Sequence, residues 1–74
     1  MSDFEEHVNL DRIELTVREL LTEMKDISEV VVDLAYASLM YNSQDMAEKV
    51  RELEEEIDDL KYAIRIKLLL AART

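Results

Sequence analysis

Seventy-four residues hold one domain at most, and so short a chain removes only a modest share of its surface from water when it folds alone. Eighteen acidic side chains against nine basic ones give a net charge of −9, which repels phosphate backbones and anionic membrane surfaces and argues against a nucleic-acid partner. With no cysteine and one histidine there is neither a disulfide framework nor an imidazole metal centre to expect, so any metal would be held by oxygen.

Glycine and proline are both absent. These residues normally punctuate turns, so the chain is expected to form long uninterrupted helices with no tight turn at positive φ. The N-terminal stretch is polar, without the basic and apolar segments of a signal peptide, and His7 within it reads as a solvent-exposed residue rather than a ligand. From Leu10 the apolar positions run Leu10, Ile13, Val17, Leu20, Met24, Ile27, Val31 and Leu34, then Ser38 and Tyr41. Their spacing alternates three and four, which is a heptad seam and predicts a helix over about 10–42.

Asn42-Ser43-Gln44-Asp45 is the one credible break, where Asn42 or Ser43 can accept hydrogen bonds from the first free amides of a following helix. A second seam of Met46, Val50, Leu53, Ile57, Leu60 and Ile64 continues through Lys67 to Ala71, predicting a helix over 44–73. So short a connection forces antiparallel packing. Folding about residues 43 and 44 pairs Tyr41 with Met46, Leu34 with Leu53, Val31 with Ile57, Ile27 with Leu60 and Met24 with Ile64. Asp45 and Glu48 open helix two, and Arg65, Lys67 and Arg73 close it, which suits its macrodipole. That basic end is expected beside Asp11 and Glu14. The apolar runs Val30 to Val32 and Leu68 to Ala72 are far shorter than the roughly 20 residues that span a bilayer. The chain therefore reads as all-α, soluble and cytoplasmic, with no direct membrane insertion.

Beyond the seam, helix one carries Leu21, Val32, Ala35 and Leu39 on one flank, and Leu68, Leu69 and Leu70 make the end of helix two apolar nearly all round. Two helices cannot bury these surfaces, and an exposed stripe of this kind marks an interface. The expectation is an antiparallel hairpin that pairs as a homodimer into a four-helix bundle, with Leu21, Val32, Ala35, Leu39, Leu68 and Leu69 at the contact. Small residues at Ala35, Ser38, Ala47 and Ala63 permit close approach. Met24, Met40 and Met46 read as fillers of core or interface. Tyr36 and Tyr62, on outer positions, read as partner-facing anchors.

Carboxylates recur four apart at Glu29 and Asp33, Glu54 and Asp58, and Glu55 and Asp59, so each pair projects from one helix face. In the register above Glu29 is level with Asp59 and Asp33 with Glu55, on the flank opposite the apolar stripe. Four oxygen donors at one height could hold a divalent cation or iron, whereas a plain solvated acidic face produces the same spacing. Asp26-x-x-Glu29 and Glu55-x-x-Asp58 are also similar to the paired acidic motifs by which all-α nucleotide pyrophosphohydrolases hold magnesium for metal-assisted hydrolysis, although that family has Glu where Asp26 stands. No serine, threonine or tyrosine has a histidine nearby and no Gly-rich loop exists, so no catalytic residue is assigned. A plain antiparallel coiled-coil adaptor is the remaining alternative.

The stretches Glu23-Met24-Lys25-Asp26-Ile27-Ser28-Glu29, Val32-Asp33-Leu34-Ala35-Tyr36, 47–58 and 68–73 resemble, in order, the N-terminal part of PhoU-like proteins. More narrowly they resemble the subfamily in which a PhoU-like helical domain precedes a TrkA-C domain and which is described as potassium-channel related. The resemblance implies a bundle of long helices in a non-enzymatic regulator of potassium or phosphate transport, acting on a membrane transport protein through a further C-terminal domain. It also implies an acidic E(D)xxxD motif, associated with multinuclear metal sites in some members, which Glu29–Asp33, Glu54–Asp58 and Glu55–Asp59 fit. The third helix of a complete repeat and the TrkA-C domain are not present, so residues 1–74 are expected to be a single N-terminal domain of a longer protein.

Overall fold

A computed structural model describes the backbone of residues 3–73 and the side chains of residues 10–73. Two helices make up the fold, α1 over Asp3–Met40 and α2 over Gln44–Ala72. They lie against each other as an antiparallel hairpin, a rod 59 Å long and 14 × 13 Å across. The length is that of α1 itself, since 38 residues rise about 57 Å at ~1.5 Å each. α2 has 29 residues, so α1 runs on past its end by several turns.

α1 begins well before Leu10: residues 3–9, read as a polar lead, are helical. Helix geometry tolerates a polar turn that has no seam residue to bury, and the apolar repeat used to place the helix start was blind to it. The side chain of His7 lies outside the described residues. The far end of α1 comes at Met40, two residues sooner than the seam suggests. There Asn42 adopts φ 51°, the left-handed region that asparagine enters more readily than most residues because its short amide can bond locally. The Ser43 N–H then donates back to the Ser38 carbonyl at 3.0 Å, the six-to-one bond that closes a helix C-terminus. The absence of glycine therefore did not preclude a positive-φ turn, because Asn42 supplies one. Tyr41 is carried out of the seam by the same turn and stands 75% exposed instead of meeting Met46.

Ser43, in extended geometry, caps α2: its Oγ accepts from the Met46 N–H at 3.2 Å. Asp45 lies in the first turn, favourable toward the helix dipole, but the last turn holds no basic residue. Only Arg73, at the C-cap, remains of the expected basic terminus, its backbone N–H reaching the Leu70 carbonyl at 3.3 Å. Glu14, expected beside that terminus, forms its ion pair with Arg18 of its own helix at 2.6 Å. Other ion pairs also join neighbours along one helix, Arg51 to Glu48 at 2.7 Å and Lys49 to Glu52 at 3.5 Å. Exposed pairs of this kind add only tenths of a kcal/mol each.

The seam is where heptad spacing places it. Leu10, Ile13, Val17, Leu20, Met24, Ile27, Val31, Leu34 and Ser38 are half-buried, as are Met46, Val50, Leu53, Ile57, Leu60, Lys67 and Ala71. Among the described residues only Ile64 is buried, at 8% exposed. A hairpin offers each seam side chain one neighbouring helix and leaves its other side to solvent. The chain accordingly exposes 6089 Å², whereas a compact chain of 8.7 kDa exposes about 4,700 Å².

Candidate functional site

The two long sides of the hairpin differ in chemistry. A shallow groove lined by Glu23, Ile27, Glu56, Asp59 and Leu60 runs along one of them. It contains Ile27 and Leu60, so those seam residues sit at one height as the expected pairing requires. It also shows that the sides of α1 and α2 bearing Glu23 and Glu56 face the same way. Glu19 and Asp26 continue this side along α1, lining a neighbouring groove with Arg18, Thr22, Glu23 and Ile27. The result is an acidic face, on which like charges repel any second surface of the same sign.

Heptad geometry puts Leu21, Val32, Ala35 and Leu39 on the other side of α1, and Ala47, Leu68 and the mixed charges Glu54, Asp58, Lys61 and Arg65 on the other side of α2. Val32 and Leu39 are 67% and 83% exposed, Leu21 is 44% exposed, Leu68 and Leu69 are exposed, and Ala35 is half-buried. Leu69 points further round than Leu68, away from the seam. Val30, Met40, Ile66 and Leu70 are also exposed but lie on the acidic side of the hairpin, and Tyr36 and Tyr62 point outward from the seam. The run of Leu21, Val32, Leu39 and Leu68 along one side of the seam is more than the isolated exposed residues of an ordinary monomer and is the pattern of an interface.

The carboxylates singled out for metal are spread apart. Glu29 and Asp33 border a groove with Lys25, Ser28 and Val32, all on α1, while Asp59 belongs to the groove with Glu23 and Glu56. Glu54, Glu55 and Asp58 are exposed. Among the described residues no three histidine, aspartate or glutamate side chains come together in a way that could hold a metal ion. The physical reason is angular. Glu29 and Glu55 sit at the heptad position farthest from the seam, so in an antiparallel pair they point away from each other on opposite sides of the rod. The acidic residues implied as ligands do not fit a metal within one hairpin. Asp26 and Glu29 are neighbours on α1, but Glu55 stands at the outermost position of α2, so among the described residues the four carboxylates of the pyrophosphohydrolase-like motif are not gathered at one place within the hairpin.

What heptad reading did not single out is the group at Glu23, Glu56 and Asp59. Its members lie on different helices, and the signal that could have found it is their shared position immediately beside seam residues that pair across the hairpin. No described helix is long and apolar enough to cross a membrane.

Comparison with known proteins adds one match. The family described as PhoU domain matches residues 21–74, nearly three quarters of the chain, covering the second half of α1 and all of α2. No curated protein and no solved structure matches.

Proposed function

The chain belongs to the PhoU domain family, and from that premise we propose that it is a non-catalytic regulatory module of membrane transport, for phosphate or potassium, working in the cytoplasm as a homodimer. The observation that carries this reading is the uncovered apolar flank of Leu21, Val32, Leu39 and Leu68 on a hairpin whose seam is only half-buried. Flat helix faces of this kind recognise other helices. The area argues for a large contact: two chains exposing 6089 Å² each would bury about 4,300 Å² in total on reaching the compactness of a globular protein of their joint mass. That is the size of an obligate homodimer interface, roughly 2,000–5,000 Å².

Two measurements test the two halves. Sedimentation of the purified chain at micromolar concentration is expected to give a dimer, and a folded monomer refutes association. In cells, deletion of the gene is expected to change uptake of labelled phosphate or of rubidium as a potassium tracer, with restoration by the wild-type chain and not by Leu39→Asp. A change in phosphate uptake alone assigns the module to phosphate, and a change in rubidium uptake alone to potassium. Uptake of both at wild-type rates in the deletion strain refutes the transport role.

A further inference from the structure

The flank beside Leu21 and Leu68 is self-complementary about one point, and from this we infer that two hairpins join face to face with their turns at opposite ends of the bundle. The inference rests on the homodimer reading and specifies its geometry. Three features of the chain choose the arrangement.

The acidic face is excluded first. A second copy docked there would set a face bearing Glu19, Glu23, Asp26, Glu56 and Asp59 against an equally acidic one, and this like-charge juxtaposition disfavours association even though Val30, Ile66 and Leu70 are exposed on the same side. The opposite flank carries both signs, and on α2 they occur in blocks, Glu54 and Asp58 followed by Lys61 and Arg65.

An antiparallel approach of α2 to its own copy then sets Glu54 against Arg65 of the partner subunit and Asp58 against Lys61 of the partner subunit. Both pairs are centred on the same place, between Asp59 and Leu60. On α1 the same operation sets Leu21 against Ala35 of the partner subunit, a large side chain against a small one, and this pair is centred on Ser28. The two centres were located independently, one by charge and one by volume. They coincide in height, because Ile27 and Leu60 line one groove. A single two-fold axis therefore serves both helices, with Ser28 meeting Ser28 of the partner subunit on it. Every contact off the axis occurs twice, as isologous symmetry requires.

The alternative, with both turns at the same end, places α1 against α2 of the partner at equal heights. Lys25 then faces Lys61 of the partner subunit and Val32 faces Glu54 of the partner subunit. Val32 lies opposite a charge in either bundle, Lys25 of the partner subunit in the inferred one, so it is the like-charge pair of Lys25 and Lys61 that discriminates between the two.

The chain has no cysteine, so a Gln44→Cys variant carries a single spin label near the turn. In the inferred bundle the two labels lie about 45 Å apart, given a rise of ~1.5 Å per residue on either side of the axis. With turns at the same end they lie within about 20 Å, the diagonal of a bundle with ~10 Å between helices. Glu54→Arg is expected to raise the dimer dissociation constant roughly tenfold, and Glu54→Arg with Arg65→Glu to restore it. A long distance with charge-reversal rescue supports the arrangement. A dimer with the short distance overturns the arrangement while leaving the homodimer intact, and a dimer indifferent to charge reversal overturns the register. A monomer overturns both readings.

Discussion

Truncation of Leu39 separates a hairpin that stands alone from one covered by a partner. Leu39→Ala removes three carbons, worth about 2.4 kcal/mol when fully buried at ~0.8 kcal/mol each. At 83% exposure only about a sixth of that, ~0.4 kcal/mol, is at stake in the isolated hairpin. Alanine's better helix propensity returns roughly 0.2 kcal/mol, so a lone hairpin hardly registers the change. If a second copy covers Leu39, the loss rises to about 2 kcal/mol per chain. Ile64→Ala is the internal reference, since at 8% exposure it costs about 2 kcal/mol by transfer alone and up to ~5 kcal/mol once a closed bundle leaves a cavity. The assay is urea unfolding followed by far-UV circular dichroism at two widely separated chain concentrations, because a dimer's midpoint rises with concentration. The expected result is a lowered, concentration-dependent midpoint for both variants. A Leu39→Ala midpoint equal to wild type at both concentrations, beside a lowered Ile64→Ala midpoint, refutes coverage of this flank.

Ser43→Ala removes the side-chain acceptor of the Met46 N–H and is expected to cost about 1 kcal/mol in the same unfolding assay, with no change in dimer affinity. Asn42→Val, forced to φ 51°, should lose about 1–2 kcal/mol, whereas Asn42→Gly should leave stability at wild type or slightly above. Calorimetric titration with magnesium, manganese or ferrous iron is expected to give the same weak isotherm for wild type and for Asp33→Asn with Asp59→Asn. Tight binding lost in the double variant would establish a site assembled from more than one hairpin.

The seam was legible because its physics is one-dimensional. Alternating three and four apolar spacing dictates which side of a helix is covered, and the half-buried positions from Leu10 to Leu34 and from Met46 to Leu60 follow it. The chain reversal was legible in place but not in mechanism, since composition alone hid the left-handed Asn42 that ends α1. Tyr41 was misplaced for the same reason: periodicity extends a helix until some local bond stops it, and that bond was Ser43 N–H to Ser38 carbonyl. The acidic pairs failed differently. Residues four apart on one helix share a face, yet convergence across two helices depends on how far each stands from the seam. Glu29 and Glu55 stand too far, while Glu23, Glu56 and Asp59, adjacent to it, share a groove.

The tight reversal at residues 41–43 also gives assembly a direction in time. The layer nearest the turn with a large apolar residue on both helices, at Leu34 and Leu53, closes a short stretch of chain and can form first. Each later layer extends it at small cost, since doubling the enclosed length adds only about 0.6 kcal/mol of closure entropy. The hairpin thus closes like a zipper from Asn42 outward, and the long overhang of α1 is the last part to find cover. Stopped-flow refolding should record this order, with Leu34→Ala slowing folding and Ile64→Ala chiefly hastening unfolding.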